Sequence, residues 1–254
     1  MKTQDIAVIG ICAALYAVIG RLTDLGATFV GVAFLPAVVI PAIFAVLFGP
    51  WVGGFGGAIG IFIRDMLVHG NAPLSLSAGV PPNFILFFII GYLANRNINT
   101  EKILTTMIVA AVMIVAGLLV PTLIYPAEFT YLTGLSTIQI IIVFVSTVVV
   151  SLIVTAAVAI RWKQWRSYAV GAVVGLAAGA ALLSVTVWAV SPLFLSYFQA
   201  PLAASFILPL FVWTFATEIP FVLLVGPPVI KACYKAFPSL KQRRSSQVKG
   251  EPIE

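Results

Sequence analysis

The chain has 254 residues, of which 61% are apolar and only 9% charged, and its mean hydropathy is +1.13. Soluble domains carry about 45–50% apolar and about 25% charged residues, so a soluble globular domain, a disordered chain and a nucleic-acid-binding module are all excluded. The composition is that of an all-α polytopic transmembrane helix bundle, in which the net charge of +6 sets membrane orientation rather than an acidic partner.

A bilayer core of ~30 Å needs about 20 helical residues per span. In chain order, the apolar runs between Gly, Pro, Asn and charged breaks predict eight spans, at 6–22, 30–48, 51–68, 80–95, 103–124, 138–160, 168–190 and 204–230. The first has no cationic start beyond Lys2 and does not read as a signal peptide. The turn Phe48-Gly49-Pro50-Trp51 carries no charge, so 30–68 is either two spans or a re-entrant hairpin. Residues 1–237 form the predicted transmembrane domain. The polar, basic stretch 238–254 is expected to be a disordered cytoplasmic tail near anionic lipid headgroups.

With the N-terminus inside, twelve of the fourteen basic residues fall at inner ends and only Arg21 and Arg64 at outer ends. The positive-inside rule thus predicts both termini in the cytoplasm. The outer connections 69–79, 125–137 and 191–203 are longer than the inner ones and richer in polar and aromatic groups, which places a ligand site near the outer face. Their aromatics, Tyr125, Phe129, Tyr131, Tyr197 and Phe198, suit a flat heterocycle and a membrane interface equally. Trp51, Trp188 and Trp213 read as interfacial belt residues.

Helices associate in lipid through small residues. Helix one carries Ala13-x-x-x-Ala17 and Gly10-x-x-x-Ala14, the third predicted helix Gly49, Gly53 and Gly57, and the seventh Gly171, Gly175 and Gly179. The last two stripes read as packing within the chain. The stripe on the terminal helix, covered on fewer sides, is the candidate for an external partner. Pro36, Pro41, Pro209, Pro220, Pro227 and Pro228 mark kinks, which free carbonyls that protein or water must satisfy.

The run Gly53-Gly54-Phe55-Gly56-Gly57 lacks the Gly-Lys-Ser/Thr ending of a phosphate loop, and no zinc or nucleophile-elbow motif is present. Cys12 and Cys233 lie in the first and last apolar runs, so neither a disulfide nor a metal centre is expected. No cofactor is predicted. Ionisable groups near the membrane are expensive and point to function. Glu218 is the deepest of them. Arg64 and Asp65 adjoin at an outer helix end, with His69 one turn beyond and Asn83 in the same layer. Glu128 and Tyr131 add an acid and an aromatic from another outer connection. These seven are the candidate substrate-binding residues.

The first ~95 residues resemble the substrate-binding S components of energy-coupling factor (ECF) vitamin transporters. The likeness rests on Ala13-x-x-x-Ala17, on the turn Leu47-Phe48-Gly49-Pro50-Trp51-Val52-Gly53-Gly54 entering a glycine-rich helix that ends in Arg64-Asp65, and on Gly91-Tyr92-Leu93-Ala94-Asn95-Arg96. The end, Ile219-Pro220 through Gly226-Pro227-Pro228 with Lys231 and Lys235, is also similar. The resemblance implies a non-enzymatic subunit of the prokaryotic cell membrane that captures a vitamin or related micronutrient outside. It implies docking through Ala13 and Ala17 onto a transmembrane T component that carries two cytosolic ATPases. It also implies a six-helix core, so eight spans would include an extra helix pair within 103–190. The residues alone leave a self-contained secondary transporter or channel open, with Glu218 as a proton site. An intramembrane enzyme using Asp65, His69 or Glu218 has little support.

Overall fold

A computed structural model describes residues 2–24, 28–96 and 165–240, with isolated positions between 136 and 157. Helix α1 is Thr3–Leu22. Its start is closed by the Lys2 backbone N–H donating to Asp5 Oδ2 at 2.8 Å, and its end by Thr23 N–H donating to the Ile19 carbonyl at 2.8 Å. A two-stranded antiparallel hairpin follows, β1 Thr28–Phe29 with β2 Val32–Ala33, in the register Thr28 to Ala33 and Phe29 to Val32. A 3₁₀ turn, Pro36–Val38, leads into α2, Val39–Phe48.

The segment 30–48, expected as one span, is therefore helical only from Pro36, and its first part is the hairpin. Val30 and Gly31 sit at φ +51° and +77°, which breaks any helix there, and Pro36 can only begin one. Gly49 then turns at φ +105°, a conformation open to glycine, and Pro50 occupies the first position of α3, Pro50–Val68.

Helix α4, Ala72–Ala94, starts earlier than the predicted 80–95, so most of the expected loop 69–79 is helical. Asn71 caps it by accepting the Leu74 N–H at 3.1 Å. A π-turn, Ser75–Gly79, precedes Pro81 and Pro82, which bring no N–H to the preceding turn. The Asn83 amide donates to the Gly79 carbonyl at 2.9 Å and supplies a donor in that disrupted stretch.

Helix α5 is Arg166–Val190. The short α6, Leu195–Phe198, lies in the connection to α7, Ile207–Ala236, which runs on past Pro220, Pro227 and Pro228. Among the described residues, five helical stretches are long and apolar enough to cross a membrane: Thr3–Leu22, Pro50–Val68, Ala72–Ala94, Arg166–Leu193 and Ala204–Ala236. The chain is an all-α, multi-pass membrane protein. The predicted spans 103–124 and 138–160 and the tail from Lys241 lie outside the described residues.

The glycines fix helix directions, because each marks where two backbones approach. Gly56 faces Cys12, Gly60 faces Ala13 and Tyr16, and Gly20 sits beside Arg64, so α1 and α3 run parallel. Gly53 lies against Ala45, Gly57 against Phe87, and Gly91 against Pro50, so α2 and α4 run antiparallel to α3. Gly171 meets Ile90 and Ala94, and Gly179 meets Leu86, so α5 reverses α4. The Tyr168 hydroxyl donates to the Val222 carbonyl at 2.7 Å near the start of α5, and past its end the Ser191 hydroxyl oxygen accepts the Leu202 N–H at 2.9 Å, so α7 runs antiparallel to α5.

All of these relations agree on one layering. The starts of α1, α3 and α5 and the ends of α2, α4 and α7 share one end of the bundle, with Lys2, Arg96, Arg166, Lys231 and Lys235. Arg21, Asp24, Arg64, Asp65 and His69 lie at the other. Between the ends, Tyr16, Phe87, Ile90, Tyr168, Leu176, Leu210, Ile219 and Leu223 are buried, while Ile11, Leu15, Val18, Ile63 and Leu67 face outward.

Candidate functional site

At the end away from the basic layer, α1, α3, α4, α5 and α7 enclose a cavity with about 140 Å³ of space for the centres of water molecules. The hairpin and α6 border its mouth through Val30, Gly31, Val32, Tyr197 and Phe198. Leu86, Leu183 and Val187 give it an apolar wall, and its polar groups converge from separate helices.

The last turn of α3 supplies the main cluster. Arg64 donates from one terminal nitrogen to Asp24 Oδ2 at 2.7 Å and from the other to Asp65 Oδ1 at 3.4 Å. Asp65 Oδ2 accepts the Ser75 hydroxyl at 2.7 Å. His69 Nδ1 accepts the Asn71 backbone N–H at 3.1 Å, which assigns the ring proton to Nε2, 3.9 Å from Asp65 Oδ1. Arg64 and Asp65 are buried despite their charge. Such groups persist at membrane depth when paired and facing the bundle interior. Two carboxylates around one guanidinium leave the cluster formally one charge negative.

A second chain of bonds crosses from α1 to α4. The Tyr16 hydroxyl donates to Asn83 Oδ1 at 3.0 Å, and the Asn83 amide in turn holds Gly79. From α7, Glu218 and Thr214 complete the wall. Glu218 is 6% exposed, and its Oε2 has no hydrogen-bond partner among the described residues. The same holds for the Arg64 Nε.

The mouth is held by two bonds from distant parts of the chain. The Tyr197 hydroxyl donates to the Gly31 carbonyl at 3.0 Å, and the Trp213 indole N–H to the Val32 carbonyl at 3.1 Å. Tyr197 also meets His69 edge to face at 5.4 Å between centroids. Burial, and after it the Asp65 carboxylate, raises the Tyr197 phenol pKa above its ordinary value, with Arg64 pulling the other way.

The structure thus gathers Arg64, Asp65, His69, Asn83 and Glu218 around one cavity. Glu128 and Tyr131 lie outside the described residues. Sequence reasoning missed Tyr16, Asp24, Ser75 and Thr214. Two signals were there to read: Tyr16 is a lone polar group between Ala13 and Ala17, and Asp24 is an acid just past a helix end, in the same outer layer as Arg64.

Trp213, read as a belt residue, instead ties α7 to the hairpin. The pair Ala13 and Ala17, expected on an exposed stripe of α1, is 2% and 1% exposed, with Ala13 set against Gly60 of α3. Gly10 and Ala14 hold the outward position, and none of the described residues lies within 4 Å of where a Gly10 side chain would start. The α1–α3 contact explains the reversal. The glycines of α3 need small or flat residues opposite them, and these fall on the Cys12, Ala13 and Tyr16 face.

No curated protein and no solved structure matches the chain. The model of the family described as ECF-type riboflavin transporter, S component, matches residues 1–161. That match takes in α1 to α4, and with them Tyr16, Arg64, Asp65, His69 and Asn83. The cavity, the membrane-spanning helices and the family match agree: this chain belongs to the ECF-type riboflavin transporter S component family, and is a substrate-binding transport subunit rather than an enzyme.

Proposed function

We propose that the chain captures riboflavin, or a vitamin of the same flavin class, in the cavity at the outer end of the bundle. The observation that carries this reading is the cavity itself. It pairs an apolar wall with convergent polar groups and lies at the end opposite the basic layer. A flat tricyclic ring suits the wall of Leu86, Leu183 and Val187 and the rings of Tyr197 and Phe198. The polar chain of a flavin suits the Arg64, Asp65, His69 and Asn83 groups. With the basic layer facing the cytoplasm, both termini lie inside a prokaryotic cell membrane and the cavity opens outward.

In this reading, transport energy comes from outside the chain, through a transmembrane T component and two cytosolic ATPases. The T component docks on α1. The exposed Gly10–Ala14 face is the better fit for close helix approach, since Ala13 and Ala17 are buried within the chain.

The test is equilibrium titration of the detergent-purified chain with riboflavin, read by quenching of flavin fluorescence. Saturable binding of one riboflavin per chain, without ATP, is expected. No binding would remove the flavin assignment. Uptake into liposomes by the chain alone, without ATP, would replace the subunit reading with a self-contained transporter.

A further inference from the structure

Glu218 lies beyond the residues matched by the family model, and among the described residues no side-chain bond holds it in place. It lines the cavity from α7, is 6% exposed, and forms no ion pair among the described residues. Its Oε2 is buried and has no hydrogen-bond partner among the described residues. The neighbouring polar side chains are engaged elsewhere. Thr214 and Thr217 donate to carbonyls of their own helix, at 3.0 Å to Leu210 and 2.6 Å to Trp213. Tyr16 donates to Asn83. A buried acceptor left without a donor costs free energy, and more so at membrane depth. A carboxyl kept only for folding would have a partner here.

We infer that Glu218 is a specificity-determining residue whose carboxyl group accepts a hydrogen bond from an N–H or O–H of the captured ligand. The inference rests on the flavin reading above for the identity of that ligand, since riboflavin offers both kinds of donor and no charge. The ligand supplies the missing partner, so the residue weakens the empty protein and strengthens the loaded one. Ligands without a donor at that position leave the acceptor buried and unpaired, and are rejected for that reason.

The experiment compares wild type, Glu218→Leu and Glu218→Gln in the full chain. Two quantities are measured: riboflavin affinity by fluorescence quenching, and thermal midpoint without ligand. Glu218→Leu is expected to weaken riboflavin binding by about 10- to 100-fold, while its ligand-free midpoint equals or exceeds that of wild type. Glu218→Gln keeps an acceptor oxygen at the same reach and is expected to recover most of the affinity.

Unchanged affinity in Glu218→Leu would overturn the inference. So would a lowered ligand-free midpoint in that variant, which would mark a structural glutamate, or a Gln variant as weak as Leu, which would mark a charge pair. If wild type binds no riboflavin, the flavin reading fails by itself. The ligand-free midpoints then still decide whether Glu218 is held at the expense of stability.

Discussion

The Tyr16 hydroxyl reaches across 67 residues of sequence to the Asn83 carboxamide oxygen at 3.0 Å, joining the first helix to the fourth inside the cavity wall. Both side chains are buried, and Tyr16 also meets Phe87 edge to face at 5.8 Å. Tyr16→Phe keeps the ring contact and leaves Asn83 Oδ1 without its donor. The expected loss is about 1 kcal/mol of stability, the usual scale for a helix–helix hydrogen bond in membranes. Asn83→Leu frees both the Tyr16 hydroxyl and the Gly79 carbonyl and should cost more. Thermal unfolding of the purified variants measures the order.

Gly57→Val drives a branched side chain into the Phe87 ring, where even a single added carbon has no room. Overpacking of this kind costs about 1–3 kcal/mol, so the variant should lose most of its monodisperse peak on size-exclusion chromatography. Gly10→Val, with open space at its site, should elute as wild type. Equal behaviour of the two would contradict the α3–α4 contact.

Tyr197 and Gly31 hold the mouth together through one hydroxyl-to-carbonyl bond at 3.0 Å. Tyr197→Phe removes that bond alone. Riboflavin release should quicken by about 2- to 10-fold, on the scale of one net hydrogen bond, with a smaller change in the association rate. Stopped-flow fluorescence separates the two. The phenol pKa is raised above its ordinary value by burial and by Asp65, so the donating, neutral form persists beyond the pH at which a free phenol ionises. Any stabilisation that Tyr197 adds is fully present below the ordinary phenol value and is lost as pH rises through the raised one. Release measured between pH 6 and 9 should therefore show no step from this residue.

Ala14→Trp should leave folding intact and abolish co-elution with the T component, because Ala14 faces outward on α1. Ala13→Trp should instead reduce the yield of folded protein, since Ala13 is packed on Gly60 of α3. Affinity purification with mass spectrometry reads the first outcome, and thermal unfolding the second. Normal co-elution of Ala14→Trp would move the docking surface off this face.

Several features of the bundle could be read along the chain. Its membrane class and most of its helices follow from local composition, because a stretch of apolar residues long enough to cross ~30 Å needs no tertiary contact to declare itself. The proline after Gly49 and the spacing-four glycines also announced a tight turn and close-packed helices, and the structure places both there. The asymmetry of Lys and Arg sorted the helix ends into the two layers that the α1–α3, α4–α5 and α5–α7 contacts build independently.

Only the tertiary structure decided which faces turn inward and which polar groups meet. A helix in lipid is apolar on every side, so no polar stripe marks its exposed face, and Ala13–Ala17 could not be told from Gly10–Ala14 until Gly56 and Gly60 were set against α1. The hairpin at 28–33 was hidden by its own hydrophobicity, which reads as helix until the backbone of Val30 and Gly31 takes positive φ. Asp24, Arg64, Ser75, Asn83, Tyr197 and Glu218 are spread over nearly two hundred residues, and nothing local links them. They form one site because five long helices, a hairpin and the short α6 converge at the same end of the bundle, a consequence of packing geometry that no window along the chain contains.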